Sequence, residues 1–263
     1  MAALLLLALQ LPTQTASAQN PKAATPATND ASVSKDANIN PDAMAALNAM
    51  GSYLRTLKSF QVTAVTTKDD VLDDGQLIQF DTHVNLLARM PDRLRVEITN
   101  AQKHQLYFYD GKTLTLYAER VNYYASVPAP ATVGKLADDL NDKFGIEMPL
   151  VDLFYWGGPQ SKVGEIKGAI DVGPAEVGGV TCEQYAFRQP GLNWQIWIQQ
   201  GDFPLPRKLV ISTLTDEARP QYSSIYEWNL APSFNEAAFH FDAPADAQRV
   251  VFGAADASHV AAK

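Results

Sequence analysis

Two runs of strand-forming residues flank Asp110-Gly111 in the stretch His104–Ala125, HQLYFYDGKTLTLYAERVNYYA. An Asp-Gly pair between alternating runs is the strongest short-range signal for a β-hairpin. Leu106 and Phe108 fall on one face of the first run, and Tyr107 and Tyr109 on the other. Leu114 and Leu116 share a face after the turn. A sheet with one wet face would show polar partners opposite its apolar row. Here both faces carry large apolar or aromatic groups.

The same alternation fills most of the chain. Phe60, Val62 and Ala64 alternate with Gln61 and Thr63, and Asp73-Asp74-Gly75 marks a hairpin tip. Ile78 to Leu86 and Leu94 to Ile98 follow, separated by Pro91. Ile170–Val177 and Cys182–Arg188 flank Gly178-Gly179, a second hairpin turn. Trp194–Ile198, Leu209–Leu214, Gln221–Leu230 and Ala238–Phe241 complete roughly ten strands in an antiparallel meander. Helices are predicted at three places. Asn40 can cap a helix from Pro41, with Leu47, Met50, Leu54 and Leu57 on one face. Thr132 can cap a helix carrying Val133, Leu136, Leu140 and Phe144. Pro149 can open a short one with Leu150, Leu153 and Phe154. A sheet of this size curls, and its apolar hollow then needs these helices as cover. They either fill it or leave a cavity.

The ends read differently. Leu4–Leu11 is an apolar run too short to span a bilayer, and Ala16-Ser17-Ala18 matches a cleavage pattern, although no Lys or Arg precedes the run. Residues 1–18 are therefore read as a signal peptide, and the protein as exported, soluble and periplasmic rather than membrane-spanning. Residues 19–40 are rich in Ala, Pro, Thr, Asn and Ser and cannot offset their ordering entropy, so they read as a disordered linker. Residues 253–263 read as a disordered tail, leaving 41–252 as the folded domain.

No catalytic or metal-binding pattern stands out. His83, His104, His240 and His259 have no i,i+4 pair and no cysteine partner, so neither a metal site nor a cofactor is expected. Cys182 stands alone and reads as a small core residue. Asp69, Asp70, Asp73 and Asp74 lack the spacing of a calcium loop and read as a solvated hairpin tip. The motifs of serine hydrolases, phosphate loops and zinc proteases are absent. Net charge is −8 without a basic run, a poor match to nucleic acid. The expectation is a protein without enzymatic activity.

Short motifs in a fixed order resemble the LolA family of periplasmic lipoprotein carriers. They are Tyr109-Asp110-Gly111-Lys112 with the strands around it, Leu57-Lys58-Ser59-Phe60, and Arg89-Met90-Pro91 followed by Arg93-Leu94-Arg95-Val96-Glu97. Leu205-Pro206-Arg207-Lys208-Leu209 and Ala238-Phe239-His240-Phe241 follow towards the end. The resemblance covers roughly Pro41 to Phe252 and is strongest to an uncharacterised branch of predicted periplasmic proteins in the LolA/LolB-like superfamily. It implies an α+β, mainly antiparallel, half-open barrel with an N-terminal helix and a helical lid, whose concave face takes acyl chains of lipoproteins. One departure is the residue before Pro91. The family has a lid-latching arginine there and this chain has Met90. Arg89, one residue away, should point to the opposite face.

The expected ligand site is apolar contact only: Phe80, Val96, Phe108, Leu116 and Ile196 on strands, with Leu136, Leu140 and Phe144 as lid. Phe80, Phe108, Trp194 and Trp228 are read either as core or as cavity lining. A chain of ~15 methylenes at ~0.8 kcal/mol each would supply ~12 kcal/mol gross. The leading functional expectation is carriage or binding of an acyl chain, lipoprotein or other lipid-like ligand. The alternative is an interaction or sensor module with a filled core that binds an envelope protein partner.

Overall fold

A computed structural model describes residues 39–146 and 148–252. The expected signal peptide, all but the last two residues of the expected linker, His259 and the expected tail lie outside the described residues. Helix α1 spans Pro41–Thr56 and opens as its sequence dictates. The Asn40 side chain accepts from the backbone N–H groups of Asp42 and Ala43 at 2.8 and 2.9 Å, and Pro41 occupies the first turn. Ile39 and Asn40 are not free linker: Ile39 forms a parallel bridge with Ala169.

Twelve strands follow: β1 Ser59–Val71, β2 Leu77–Arg89, β3 Arg93–Thr99, β4 His104–Tyr109, β5 Thr113–Ala118, β6 Tyr123–Pro128, β7 Gly168–Val177, β8 Val180–Gln189, β9 Leu192–Gln199, β10 Pro206–Thr213, β11 Gln221–Asn229 and β12 Gln248–Arg249. They form one sheet in the order β12-β6-β5-β4-β3-β2-β1-β11-β10-β9-β8-β7, antiparallel except for β12 on β6. The pairing of β1 with β11 joins the two meanders. The sheet is not closed: β12 and β7 are its two ends. This is the mainly antiparallel half-open fold expected from the sequence.

Between β6 and β7 lie α2 (Val133–Phe144) and α3 (Asp152–Tyr155). Thr132 caps α2 as expected, and Gly145 ends it in the left-handed region. Pro149 does not open α3. Leu150 sits at φ 57°, so the chain turns before the helix starts. A second correction concerns Ala238–Phe241, expected as a strand. Residues Glu236–Phe239 form a 3-10 turn, because Phe239 packs singly into the structure while the residues around it are exposed.

Register divides the sheet into two faces. Val62, Leu86, Val96, Tyr107, Leu116, Ile196 and Leu209 fall on the inner face, as the pairs Val62↔Leu86, Leu86↔Val96, Val96↔Tyr107, Tyr107↔Leu116 and Ile196↔Leu209 require. Leu47, Met50 and Leu54 of α1, Leu136 and Leu140 of α2, and Leu153 and Phe154 of α3 join them in one core. The outer face has cover at one end: Phe241 lies 5.1–5.4 Å from the rings of Phe108, Tyr117 and Tyr124. That is why both faces of the first hairpin are apolar.

Candidate functional site

The expected site divides into three groups. Val96, Leu116 and Ile196 lie on the inner face, and Leu136 and Leu140 descend onto it from α2. Val96, Leu136, Leu140 and Ile196 are all at least 98 % buried, so their side chains fill the space they were expected to line. The hollow remaining beside Leu114, Leu136, Leu140 and Phe144 is only about 50 Å³, room for one or two waters. Phe144 is half-buried with its ring 5.1 Å from that of Phe252.

Phe108 and Phe80 are not brought to this group. Phe108 pairs with Arg95 and Thr115 on the outer face, beneath Phe241 and with the Arg95 guanidinium 5.4 Å over its ring. Side chains alternate, so the face shared with Val96 belongs to Gln105, Tyr107 and Tyr109 on that strand. Phe80 has the inner parity but the wrong position along its strand. The β1–β2 hairpin overhangs its neighbours, β3 pairs only from His83 onward, and Phe80 is 36 % exposed. Arg89 behaves as its parity demands. It pairs with Glu236 and stands 5.6 Å over the Phe239 ring on the outer face, whereas Met90 packs against the core.

The open space on the inner face lies elsewhere. A hollow of about 310 Å³ separates the segment Asp152–Val163 from β9 and β10. Its floor is Trp194, Leu192, Leu209 and Ile211, which share the inner face by the pairs Ile211↔Trp194 and Thr213↔Leu192. Its roof is Trp156, Tyr155 and Val163, and Asp152, Gln160, Ser161, Lys162 and Gln189 complete the lining. That volume sits at the low end of the range of small-ligand sites.

The walls are held by partners outside the hollow. Tyr155 Oη donates to Asp138 Oδ1 at 2.9 Å, and Gln160 Nε2 donates to Asp138 Oδ2 at 3.3 Å, tying the roof to α2. Burial and this hydrogen bond push the Tyr155 phenol up to about 12, so it stays a neutral donor. Trp194 Nε1 donates to Gln189 Oε1 at 2.8 Å while its indole stacks on Phe187 at 4.2 Å. Gln189 Nε2 in turn donates to the Lys162 carbonyl at 2.7 Å, joining floor to roof.

The one acidic side chain of the lining has no side-chain partner. Asp152 is half-buried and lines this space, and desolvation raises its pKa to about 6. Ser161 Oγ is buried behind the lining with no hydrogen-bond partner. Asp152 is the one charge in the apolar run Met148–Trp156, MPLVDLFYW. That isolated carboxylate is the readable signal for this site, and strand alternation alone does not point to it.

A second hollow of about 240 Å³ lies across α3, between Leu54, Leu57, Phe60, Met90, Leu153 and Phe154. On the outer face a wide, open groove of about 450 Å³ runs past Thr63, His83, Asn85, Glu97 and Glu227, a polar and solvated surface. Cys182 is buried, but outside the inner-face core. Among the described residues no three His, Cys, Asp or Glu side chains come together as a metal site, and no helix is long and apolar enough to cross a membrane.

Residues 43–253 match the family model described as "Predicted periplasmic protein (DUF2092)". That description agrees with the exported location read from the sequence. No curated protein matches. Among solved structures, the chain is similar to an uncharacterized conserved protein from Thermus thermophilus (13 % identity, TM-score 0.45, covering 80 % of this chain and 99 % of that one). It is similar to lipoprotein LppX of Mycobacterium tuberculosis at 10 % identity and TM-score 0.41, over 74 % of this chain and 100 % of that one. A LolA superfamily protein from Nitrosomonas europaea gives 11 % identity and TM-score 0.37, over 76 % and 97 %.

Proposed function

The chain belongs to the DUF2092 family of predicted periplasmic proteins, and from that premise we infer that it is a non-enzymatic binding protein for a slender hydrophobic ligand. The observation that carries this reading is the hollow of about 310 Å³ between α3 and β9–β10, walled by Trp156, Trp194, Leu192, Leu209 and Ile211. Its polar wall groups Tyr155, Gln160, Gln189 and Trp194 are already satisfied by other protein groups, so entry of an apolar guest strands none of them. At ~30 Å³ per water-sized unit the space takes about ten non-hydrogen atoms. An alkyl segment of about eight methylenes supplies ~6 kcal/mol gross, half of what the sequence-based expectation assigned to a longer chain. Carriage of a whole lipoprotein acyl chain therefore requires this hollow to grow.

The test is isothermal titration calorimetry with octanol, whose size matches the hollow. Wild type should bind it saturably. Ile211→Trp, which fills the hollow from a half-buried position, should abolish the binding while far-ultraviolet circular dichroism stays unchanged. Equal binding by the two proteins would sink the reading.

The protein-partner alternative draws on the end strand β7, where Ile170 and Val172 are exposed. That edge is blunted by a bulge between Asp171 and Gly173 and by Pro174, the devices that discourage strand addition. The hollow is the better-supported site.

A further inference from the structure

An apolar hollow built only for hydrocarbon has no use for a carboxylate. Asp152 places one there, with no side-chain partner, in the run that otherwise supplies the roof. It lines the space together with Trp156 and Trp194. A partly desolvated carboxylate without a side-chain partner is stabilised by a ligand that brings a positive charge and hydrogen-bond donors.

We propose that the hollow under α3 selects an amphiphile bearing a protonated primary amine, its ammonium seated on the Asp152 carboxylate and its alkyl part along Trp194, Leu209 and Ile211. This rests on the reading of the hollow as an apolar binding site and adds the class of headgroup. The charge environment favours a cation. Asp152 is half-buried, so solvent screens it less than it screens the exposed Lys162, and the ammonium brings donors to both carboxylate oxygens. Lys162, the cation at the opening, is exposed, so its attraction for an anionic headgroup is screened. The remaining titratable groups nearby are Tyr155 on α3, its partner Asp138 on α2, and Tyr222 and Tyr226 on β11. Tyr226 is fully buried, and burial, then Tyr222 and Asp152, push its phenol up, so it carries no charge to compete.

The experiment is isothermal titration calorimetry of the full chain at pH 8 with octylamine, octanol and octanoate, three probes of equal chain length. Wild type should bind octylamine at least tenfold more tightly than octanol, with octanoate weakest. Asp152→Asn should bring octylamine to within threefold of octanol and leave octanol itself within threefold of wild type. In wild type, octylamine should bind several-fold more weakly at pH 5 than at pH 8 while octanol is unchanged, which keeps the assignment testable if Asp152→Asn folds poorly. A wild-type protein without preference for the amine overturns the proposal. So does a preference that survives in Asp152→Asn, since it would then come from the net negative charge of the whole chain. If octanol binds and Ile211→Trp removes it, a missing amine preference overturns the headgroup assignment alone. If none of the three probes binds, the apolar-site reading falls with it.

Discussion

Asp152 carries a cost of its own in the folded state. Its folded pKa of about 6 lies above the ordinary carboxylate value of 3.8 because burial disfavours the charged form. The folded protein therefore binds this proton more tightly than the unfolded chain does. Below the unfolded pKa no penalty exists, and between about pH 4 and pH 6 stability falls as pH rises, after which the penalty is constant. Raising a pKa by one corresponds to about 1.4 kcal/mol, which sets an upper bound of ~3 kcal/mol, less because the carboxyl faces open space. Urea titrations of wild type and Asp152→Asn from pH 4 to 8 should show the variant gaining ~1–3 kcal/mol relative to wild type over that interval. Parallel curves would refute the raised pKa. Octylamine works in the opposite direction: its affinity should drop below about pH 6, as Asp152 takes up its proton and loses its charge. Strand parity and local hydropathy place Val96, Leu116 and Ile196 on their correct face. They could not reveal that those side chains fill their own space, because packing density depends on how α2 settles against the sheet. Phe108 departs from its expected place although its parity with Leu106 is visible in the sequence. The outer-face cover that explains it, Phe241, comes from near the end of the domain, a contact that no local pattern encodes.

Among the elements, α1 and the segment after α3 meet backbone to backbone at Gly51 and Gly157. A methyl group on Gly51 would lie 2.7 Å from the Gly157 nitrogen, and Gly157 also holds φ +70°. Arg55 Nη1 donates to the Phe154 carbonyl at 2.9 Å in the same joint. Gly51→Ala must push the roof segment away from α1, at ~1–3 kcal/mol for an overpacked contact. The expected readout is a lower urea midpoint together with weaker octanol binding, whereas a surface helix position would gain slightly from alanine. Asn40→Ala removes a cap that satisfies two N–H groups, and should cost ~1 kcal/mol in the same assay while leaving probe affinity unchanged. The caps at Asn40 and Thr132 were legible in the sequence, as were the hairpins at Gly75, Gly111 and Gly178-Gly179, since turn chemistry and alternation are local. β12 was not legible: Gln248–Arg249 is two residues long and exists only because β6 offers an edge. The Glu236–Phe239 turn carries a strand-like pattern of apolar residues, and its packing on Arg89 and Phe234 decides otherwise.

For the whole molecule, the open sheet divides the labour. Beside β5 and β6 the Leu136 and Leu140 side chains of α2 leave almost no space and supply stability, while the β9–β10 side keeps a hollow. A ligand confined to that space stabilises by mass action, ~2.7 kcal/mol at a hundredfold excess over its dissociation constant. For a domain of this size that corresponds to ~5–10 °C in melting temperature. Differential scanning calorimetry with octylamine should show this rise in wild type and not in Ile211→Trp, and a rise of equal size in both would place binding elsewhere.

Between the two inner hollows stands α3, only four residues long. So short a helix has almost no stability of its own and owes its position to Leu153, Phe154, the Arg55 hydrogen bond and the glycine contact. On the proposed reading, capacity would be governed by this small plug and not by the wall. A longer guest would displace one helical turn and leave every strand pairing of the sheet intact.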